Sequence, residues 1–214
     1  RQPMRRHARE PTADELGSPS WRRMLSRGAA DLGFRLNEDQ LTLFQAYAEE
    51  LLAWNRRINL TSITKPADIA VKHFIDSLAG ARFLESGWRI LDLGSGGGFP
   101  GIPLAVFRPD LKVTLVDAVR KKVSFQKQVC RQLGLEGVRS EHTRIEDLQD
   151  APRHAGAYDA VVSRALTDLD ELCRLADPFL ADHGLIVAYR GRPAPDSEGS
   201  GPMPATPHPS RPSS

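Results

Sequence analysis

Apolar and polar positions along this chain follow two rhythms, and the change from one to the other falls near Trp88. Before it, Leu41, Phe44, Ala48, Leu51 and Leu52 recur at helical spacing, which predicts one helix from Asn37 to about Asn55 with a single buried face. Asn37 stands ahead of it as a cap, with Gln40 in the reciprocal position, and Glu38 and Asp39 occupy the first turn, where carboxylates suit the helix dipole. Arg56 to Thr61 reads as a connection. Pro66 then opens a second helix, in the first turn where its missing N–H does no harm, and Val71, Phe74, Ile75 and Leu78 are its predicted inner stripe. No strand pattern separates these helices, so residues 23–86 are expected to form a lid or small helical subdomain.

After Trp88, short apolar runs alternate with helical stretches. Strands are predicted at 88–93, 112–117, 137–140, 158–163 and 184–189, with helices over 119–133, closed by Gly134, and over 168–181. Repeated strand–helix units give a parallel sheet covered on both faces, with ligands past the carboxyl ends of the strands; this α/β domain spans 87–190. The flanks, 1–22 and 191–214, hold Pro, Arg, Ser and Gly with few large apolar groups and are expected to be disordered.

The candidate chemistry sits where the first strand ends. Asp92 is followed by glycines at 94, 96 and 98, Phe99, and an apolar segment able to start a helix. Glycine suits a backbone that takes positive φ or lies against a ligand, and the following helix offers free N–H groups. A P-loop would need a Gly-Lys-Ser/Thr ending, which is absent. Asp92 could accept from a ligand's ammonium and would repel a pyrophosphate. Asp117 ends the second strand roughly 20 residues past the loop, the spacing of a ribose-hydroxyl acceptor. Two placed acids fit S-adenosylmethionine (SAM) better than NAD. A NAD-dependent oxidoreductase stays open as the alternative, as does a loop that serves only as a tight turn.

Composition narrows this modestly. A chain of 214 residues with 40% hydrophobic content supports one α/β domain with an added helical segment. A net charge of +2 permits a nucleic-acid partner without demanding one, so local clusters must argue for it. Arg56, Arg57, Lys65, Lys72, Arg120, Lys121, Lys122, Lys127 and Arg131 flank the presumed cofactor mouth and are candidates for RNA phosphate contacts. Cys130 and Cys173 lie in helical patterns without CxxC or His pairing, as expected of buried thiols in a reducing cytoplasm. No apolar run approaches the ~18 residues of a membrane span. No metal site is expected, and a monomer is.

Taken together, Trp54-Asn55, Asn59-Leu60-Thr61, His73-Phe74-Ile75-Asp76-Ser77, the run Asp92 to Pro103, Leu115-Val116-Asp117 and Ser163-Arg164-Ala165 resemble, in this order, the RsmG (GidB) family of small-subunit ribosomal RNA methyltransferases. The resemblance covers about residues 32–191. It implies a class I SAM-dependent, Rossmann-like fold and methylation of a guanine N7 in the decoding-region loop of 16S ribosomal RNA, free or in the small subunit. It implies that Gly94 and Phe99 lie at the cofactor loop, that Asp117 takes the ribose hydroxyls, that Ile145 and Glu146 flank the adenine, and that Arg164 sits between cofactor and RNA. The family's chain goes on through two further strands; here Pro- and Ser-rich sequence stands in their place, so the expectation is a sheet without them, and an inactive SAM- or RNA-binding remnant is the third reading.

Guanine N7 carries an in-plane lone pair and no proton, so methylation there needs no general base, and no residue is singled out as catalytic beyond Arg164 as an orienting candidate. The absence of a Pro-Cys pair and of a Pro-Pro-aromatic cluster after strand four removes rival chemistries. Arg164 has a second reading, an ion pair with Glu146 or Asp168. His73 and Asp76, one turn apart, read foremost as packed, hydrogen-bonded side chains.

Overall fold

In the computed structural model, which describes residues 15–164 and 168–190, five parallel strands form one sheet in the order β3-β2-β1-β4-β5. They are β1 (Arg89–Leu93), β2 (Lys112–Asp117), β3 (Val138–His142), β4 (Tyr158–Arg164) and β5 (Leu180–Tyr189). Asp92 of β1 lies in register with Leu115 of β2 and Val162 of β4, so the central strand carries it into the middle of the sheet. Helices α5 (Gly101–Phe107) and α6 (Arg120–Gln132) cover one face, and α7 (Ile145–Gln149) and α8 (Leu169–Ala176) the other.

Helix α2 (Glu38–Asn55) begins with the predicted reciprocal cap: Gln40 N–H donates to Asn37 Oδ1 at 2.8 Å and Asn37 N–H to Gln40 Oε1 at 3.0 Å. Asn55 organises the connection after it, accepting from the N–H groups of Leu60 and Thr61 at 2.8 and 3.0 Å. The helical segment packs on the sheet as a layer of the main core. Trp21, Phe44, Tyr47, Phe74, Ile90, Val113, Phe125, Val162 and Val187 belong to one contiguous apolar cluster that runs from the first helix to the last strand.

Three sequence expectations need correction. Helix α1 (Pro19–Asp31) begins inside the stretch assigned to the N-terminal tail. Ser18 caps it, Pro19 opens it, and Trp21, Leu25 and Ala29 are buried at four-residue spacing; Trp21 Nε1 donates to Pro66 O at 2.9 Å. Next, the helix from Pro66 is three consecutive pieces, α3 (Pro66–Asp68), a π-helix (Ile69–Ile75) and α4 (Asp76–Leu78), followed by a 3₁₀ turn (Ala79–Phe83). Its buried positions pair as 69/70, 73/74 and 77/78, because i→i+5 winding stretches the repeat beyond that of an α-helix. Val71, predicted inside, is therefore 46% exposed. Finally, α8 ends at Ala176 and β5 starts at Leu180, where a bulge opposite Tyr158–Ala160 absorbs Ala181 to Gly184. The expectation for 191–214, like that for residues 1–14, lies outside the described residues.

Candidate functional site

The turn after β1 is built on left-handed backbone: Gly94, Gly96 and Gly98 have φ of +69°, +54° and +89°. Two acids frame it. Asp117 is 6% exposed and doubly used: Oδ2 accepts from Gly96 N–H at 2.9 Å and Oδ1 from Val119 N–H at 2.8 Å. Asp92 is fully buried; its Oδ2 accepts from Gly101 N–H, at the start of α5, at 2.7 Å, while Oδ1 has no partner among the described residues. Burial lifts the Asp92 carboxyl to about 7, against the pull of the Gly101 N–H and the Arg164 charge and with a small push from Asp117.

Two braces hold the loop, and neither was singled out from the sequence. Gln126 on α6 is fully buried, and its Nε2 donates to Ser95 Oγ at 2.9 Å and Gly96 O at 2.8 Å. Tyr47 on α2 donates to Gly97 O at 2.5 Å and stacks on Phe99, ring centroids 5.4 Å apart. The available signal was a polar atom on an otherwise apolar helix face: Gln126 between Phe125 and Val129, Tyr47 between Phe44 and Ala48.

At the end of β4, Arg164 turns onto the helical layer. Its Nη1 donates to Lys72 O at 3.0 Å and His73 Nδ1 at 3.3 Å, and Nη2 to Ser77 Oγ at 2.9 Å; Nη2 also pairs with Asp76 Oδ2 at 2.8 Å. The carboxylate partner is thus Asp76, not Glu146 or Asp168. The guanidinium lies 5.7 Å from the Phe99 ring and 5.6 Å from that of Tyr189. Phe99 stacks on His73 at 4.2 Å with 8° between planes. His73 is buried as expected: with Nδ1 accepting from Arg164, Nε2–H donates to Thr61 Oγ1 at 2.8 Å. Burial, helped by the arginine's charge, lowers its pKa to about 4, so it is neutral at physiological pH.

A family model described as GidB, rRNA small subunit methyltransferase G, matches residues 40–198. The chain belongs to the GidB family. A relative from Geobacter sp. (strain M21), named ribosomal RNA small subunit methyltransferase G, is 47% identical over 175 residues, 82% of this chain and 80% of its own. A relative of the same name from Geobacter metallireducens is 49% identical over 169 residues, 79% of this chain and 76% of its own. Among solved structures, one titled a putative S-adenosyl-L-methionine-dependent methyltransferase from Methanococcus maripaludis aligns with a TM-score of 0.49 at 18% identity over 67% of this chain and 62% of that one. The GidB-family sheet is that of a class I SAM-dependent methyltransferase, and SAM is the cofactor of the family.

Along the carboxyl ends of its strands this GidB-family chain sets Ile145 after β3, Asp117 on β2, Asp92 on β1 with Gly94, Gly96 and Gly98 in the turn after it, and Arg164 on β4, with Phe99 closing the loop. Ile145 is half-buried against the apolar cluster between the sheet and α7 and α8, and Glu146 beside it is exposed. The basic candidates divide. Arg56, Arg57, Lys65, Arg120, Lys121, Lys127 and Arg131 are exposed; Lys72 pairs with Asp68 at 2.9 Å; Lys122 is half-buried with Nζ 4.0 Å from Asp117. Cys130 is buried, which pushes its thiol up to about 12. Among the described residues no cluster of His, Cys, Asp or Glu is arranged to hold a metal, and no helix is long and apolar enough to cross a membrane.

Proposed function

We propose that this chain transfers a methyl group from SAM to N7 of a guanine in 16S ribosomal RNA, in the cytoplasm, on the small subunit or its RNA. The observation that carries the cofactor is Asp92: a fully buried carboxylate with one oxygen satisfied and the other without a donor, set above a loop of left-handed glycines. An ammonium group completes that oxygen, whereas a pyrophosphate in its place would meet a carboxylate. Asp92 would hold the amino group, Asp117 the ribose hydroxyls, Ile145 and Glu146 the adenine, and Arg164 the side facing the RNA. When bound, the cofactor supplies an electrophilic sulfonium methyl.

The side chains around the cleft suit an acceptor that brings its own lone pair. Both nitrogens of His73 are engaged, Asp117 is tied to two backbone N–H groups, and Tyr47 is occupied with Gly97 O and raised well above its ordinary pKa by burial. Neither His73 nor Tyr47 is free to take a proton from a substrate, and Asp117 is committed to the loop and to the ribose. What the chain contributes is alignment of donor and acceptor, an effect worth up to about 7–11 kcal/mol in favourable systems. The exposed Arg56, Arg57, Arg120 and Lys121 would contact RNA phosphates, which position the substrate without reading its bases.

The test is incubation of the chain with methyl-labelled SAM and small subunits or 16S RNA lacking the modification, followed by chemical cleavage at N7-methylguanine. A single mapped guanine is the expected result, together with heat stabilisation by S-adenosylhomocysteine and none by NAD. Label elsewhere, or stabilisation by NAD alone, overturns the proposal. Charge reversal at Arg120 and Lys121 is expected to weaken RNA binding and reduce its salt dependence without moving cofactor affinity.

A further inference from the structure

Arg164 is so fully engaged that it cannot read a base through its Nη groups without leaving the helical layer. Lys72 O, His73 Nδ1, Ser77 Oγ and Asp76 Oδ2 take those donors, and the side chain is only 18% exposed. Its partner is different. Asp76 gives one oxygen to Arg164 at 2.8 Å, its side chain is 49% exposed, and its other oxygen, Oδ1, has no hydrogen bond among the described residues. Asp76 also follows directly on the π-helix, an irregularity that recurs at functional sites. Through Arg164 it is one side chain removed from Phe99 of the cofactor loop.

We propose that Asp76 is a specificity-determining residue that recognises the target guanine, its Oδ1 accepting from the exocyclic N2 amine while Oδ2 stays on Arg164. The proposal rests on the guanine-N7 activity put forward above. A carboxylate is an acceptor with no donor of its own when ionised. Guanine sets N1–H and the N2 amine side by side as donors; adenine has an acceptor at N1 and only C2–H in the place of the N2 amine. Burial raises the Asp76 carboxyl above its ordinary pKa, against the pull of the Arg164 charge, and the four anchors of the guanidinium hold the pair in place. Gripping the base by the edge remote from N7 also leaves the N7 lone pair open to in-plane attack. Base identity is then checked by the same residue that fixes the arginine beside the cofactor loop.

The decisive measurement is a cycle between this side chain and one amine of the RNA. The wild-type chain, Asp76→Ala and Asp76→Asn are compared on RNA carrying guanosine or inosine at the mapped nucleotide; inosine keeps N1–H, O6 and N7 and lacks only the N2 amine. For the wild type, kcat/KM is expected to fall by about tenfold or more with inosine, the scale of a hydrogen bond to a charged group. In both variants the two RNAs are expected to react within twofold of each other. Asp76→Asn keeps the shape and turns an amide N–H₂ toward the amine, so it serves where Asp76→Ala does not fold. A residue that merely buttresses Arg164 lowers both RNAs alike and leaves their ratio at the wild-type value; that result, or a wild type indifferent to inosine, overturns the proposal. A wild type that methylates no guanine N7 is seen in the guanosine arm before any variant is made, and it overturns the activity and this reading together.

Discussion

Asp92 and Asp117 end neighbouring strands of one sheet and flank the same glycine loop, yet their surroundings divide the labour of folding and binding between them. Asp117 has a backbone N–H on each oxygen and Lys122 at 4.0 Å; its charge is used to shape the turn that joins β2 to α6 and to hold Gly96. Asp92 has one N–H, complete burial and an oxygen without a donor, so its charge is a burden on the folded protein until something cationic arrives. Acids at equivalent strand ends can thus be structural or receptive, and the number of donors they already own decides which.

The sharpest way to break that contrast is a pair of isosteric replacements. Asp92→Asn is expected to leave the melting temperature level or higher, because it removes a buried charge, while S-adenosylhomocysteine binds about tenfold to hundredfold more weakly, the range for a hydrogen bond between charged groups. Asp117→Asn turns an amide N–H₂ against Gly96 or Val119 N–H. It is expected to cost about 1–3 kcal/mol of stability as well as affinity, the penalty of an unsatisfied buried donor. Calorimetric binding and thermal melts of both variants check this; equal losses of stability would erase the distinction.

Acidity tests the same division. The Asp92 carboxyl rises from an ordinary 3.8 to about 7 in the folded protein. A raised acid binds its proton more tightly folded than unfolded. Its contribution to stability is therefore complete below pH 3.8, declines as pH climbs through the window, and is lost above about 7. Ligand affinity runs the other way, since only the ionised acid attracts an ammonium. Binding of S-adenosylhomocysteine is expected to tighten as pH rises across about 7 in the wild type, and that tightening is expected to vanish in Asp92→Asn.

The glycines carry the contrast to the backbone. A Cβ at Gly98 would meet Ile102 Cδ1 at 2.3 Å and the Tyr47 hydroxyl at 2.9 Å, on backbone at φ +89°. Gly98→Ala is expected to combine left-handed strain of about 1–2 kcal/mol with overpacking of about 1–3 kcal/mol. A Cβ at Gly96 meets only Gly94 O at 3.9 Å, so Gly96→Ala carries the strain of about 1–2 kcal/mol alone and loses ligand because the new methyl faces the cleft. Melts that rank the two in the opposite order would refute this.

What the sequence disclosed, and what it hid, follows the range of the interactions. The α2 cap, the ends of β1 and β2 and the placement of both acids beside the glycine loop were legible because each rests on neighbours within a few residues or on the repeat of a single element. Helix α1 was lost to its own start signal: Ser18 and Pro19 cap a helix here, yet in a Pro-, Arg- and Ser-rich stretch they read as a tail. Val71 faced the wrong way because a π-turn changes the period on which an inner stripe is counted. Nothing local marks the pairing of Arg164 with Asp76 across 88 positions (164 less 76), and the second reading of Arg164 accordingly names the nearer acids Glu146 and Asp168.

The smallest expected effect concerns the two braces, which reach the loop from two helices packed on each other, α6 and α2. Gln126 holds Gly96, the residue already bound to Asp117, so the loop is doubly fixed there. Tyr47 alone reaches Gly97, from the helical layer, and its ring also packs against Phe99. Tyr47→Phe keeps the ring and removes only the hydroxyl donor to a carbonyl. The expected cost is about 1 kcal/mol, or about 2–4 °C in melting temperature for a chain of this size. Because Gly97 sits between the two ligand-facing glycines, affinity for S-adenosylhomocysteine is expected to drop with it, by about the tenfold that 1.4 kcal/mol represents or less. A variant that melts lower but binds as the wild type does would confine Tyr47 to packing and leave the shape of the cofactor loop to Gln126 and Asp117 alone.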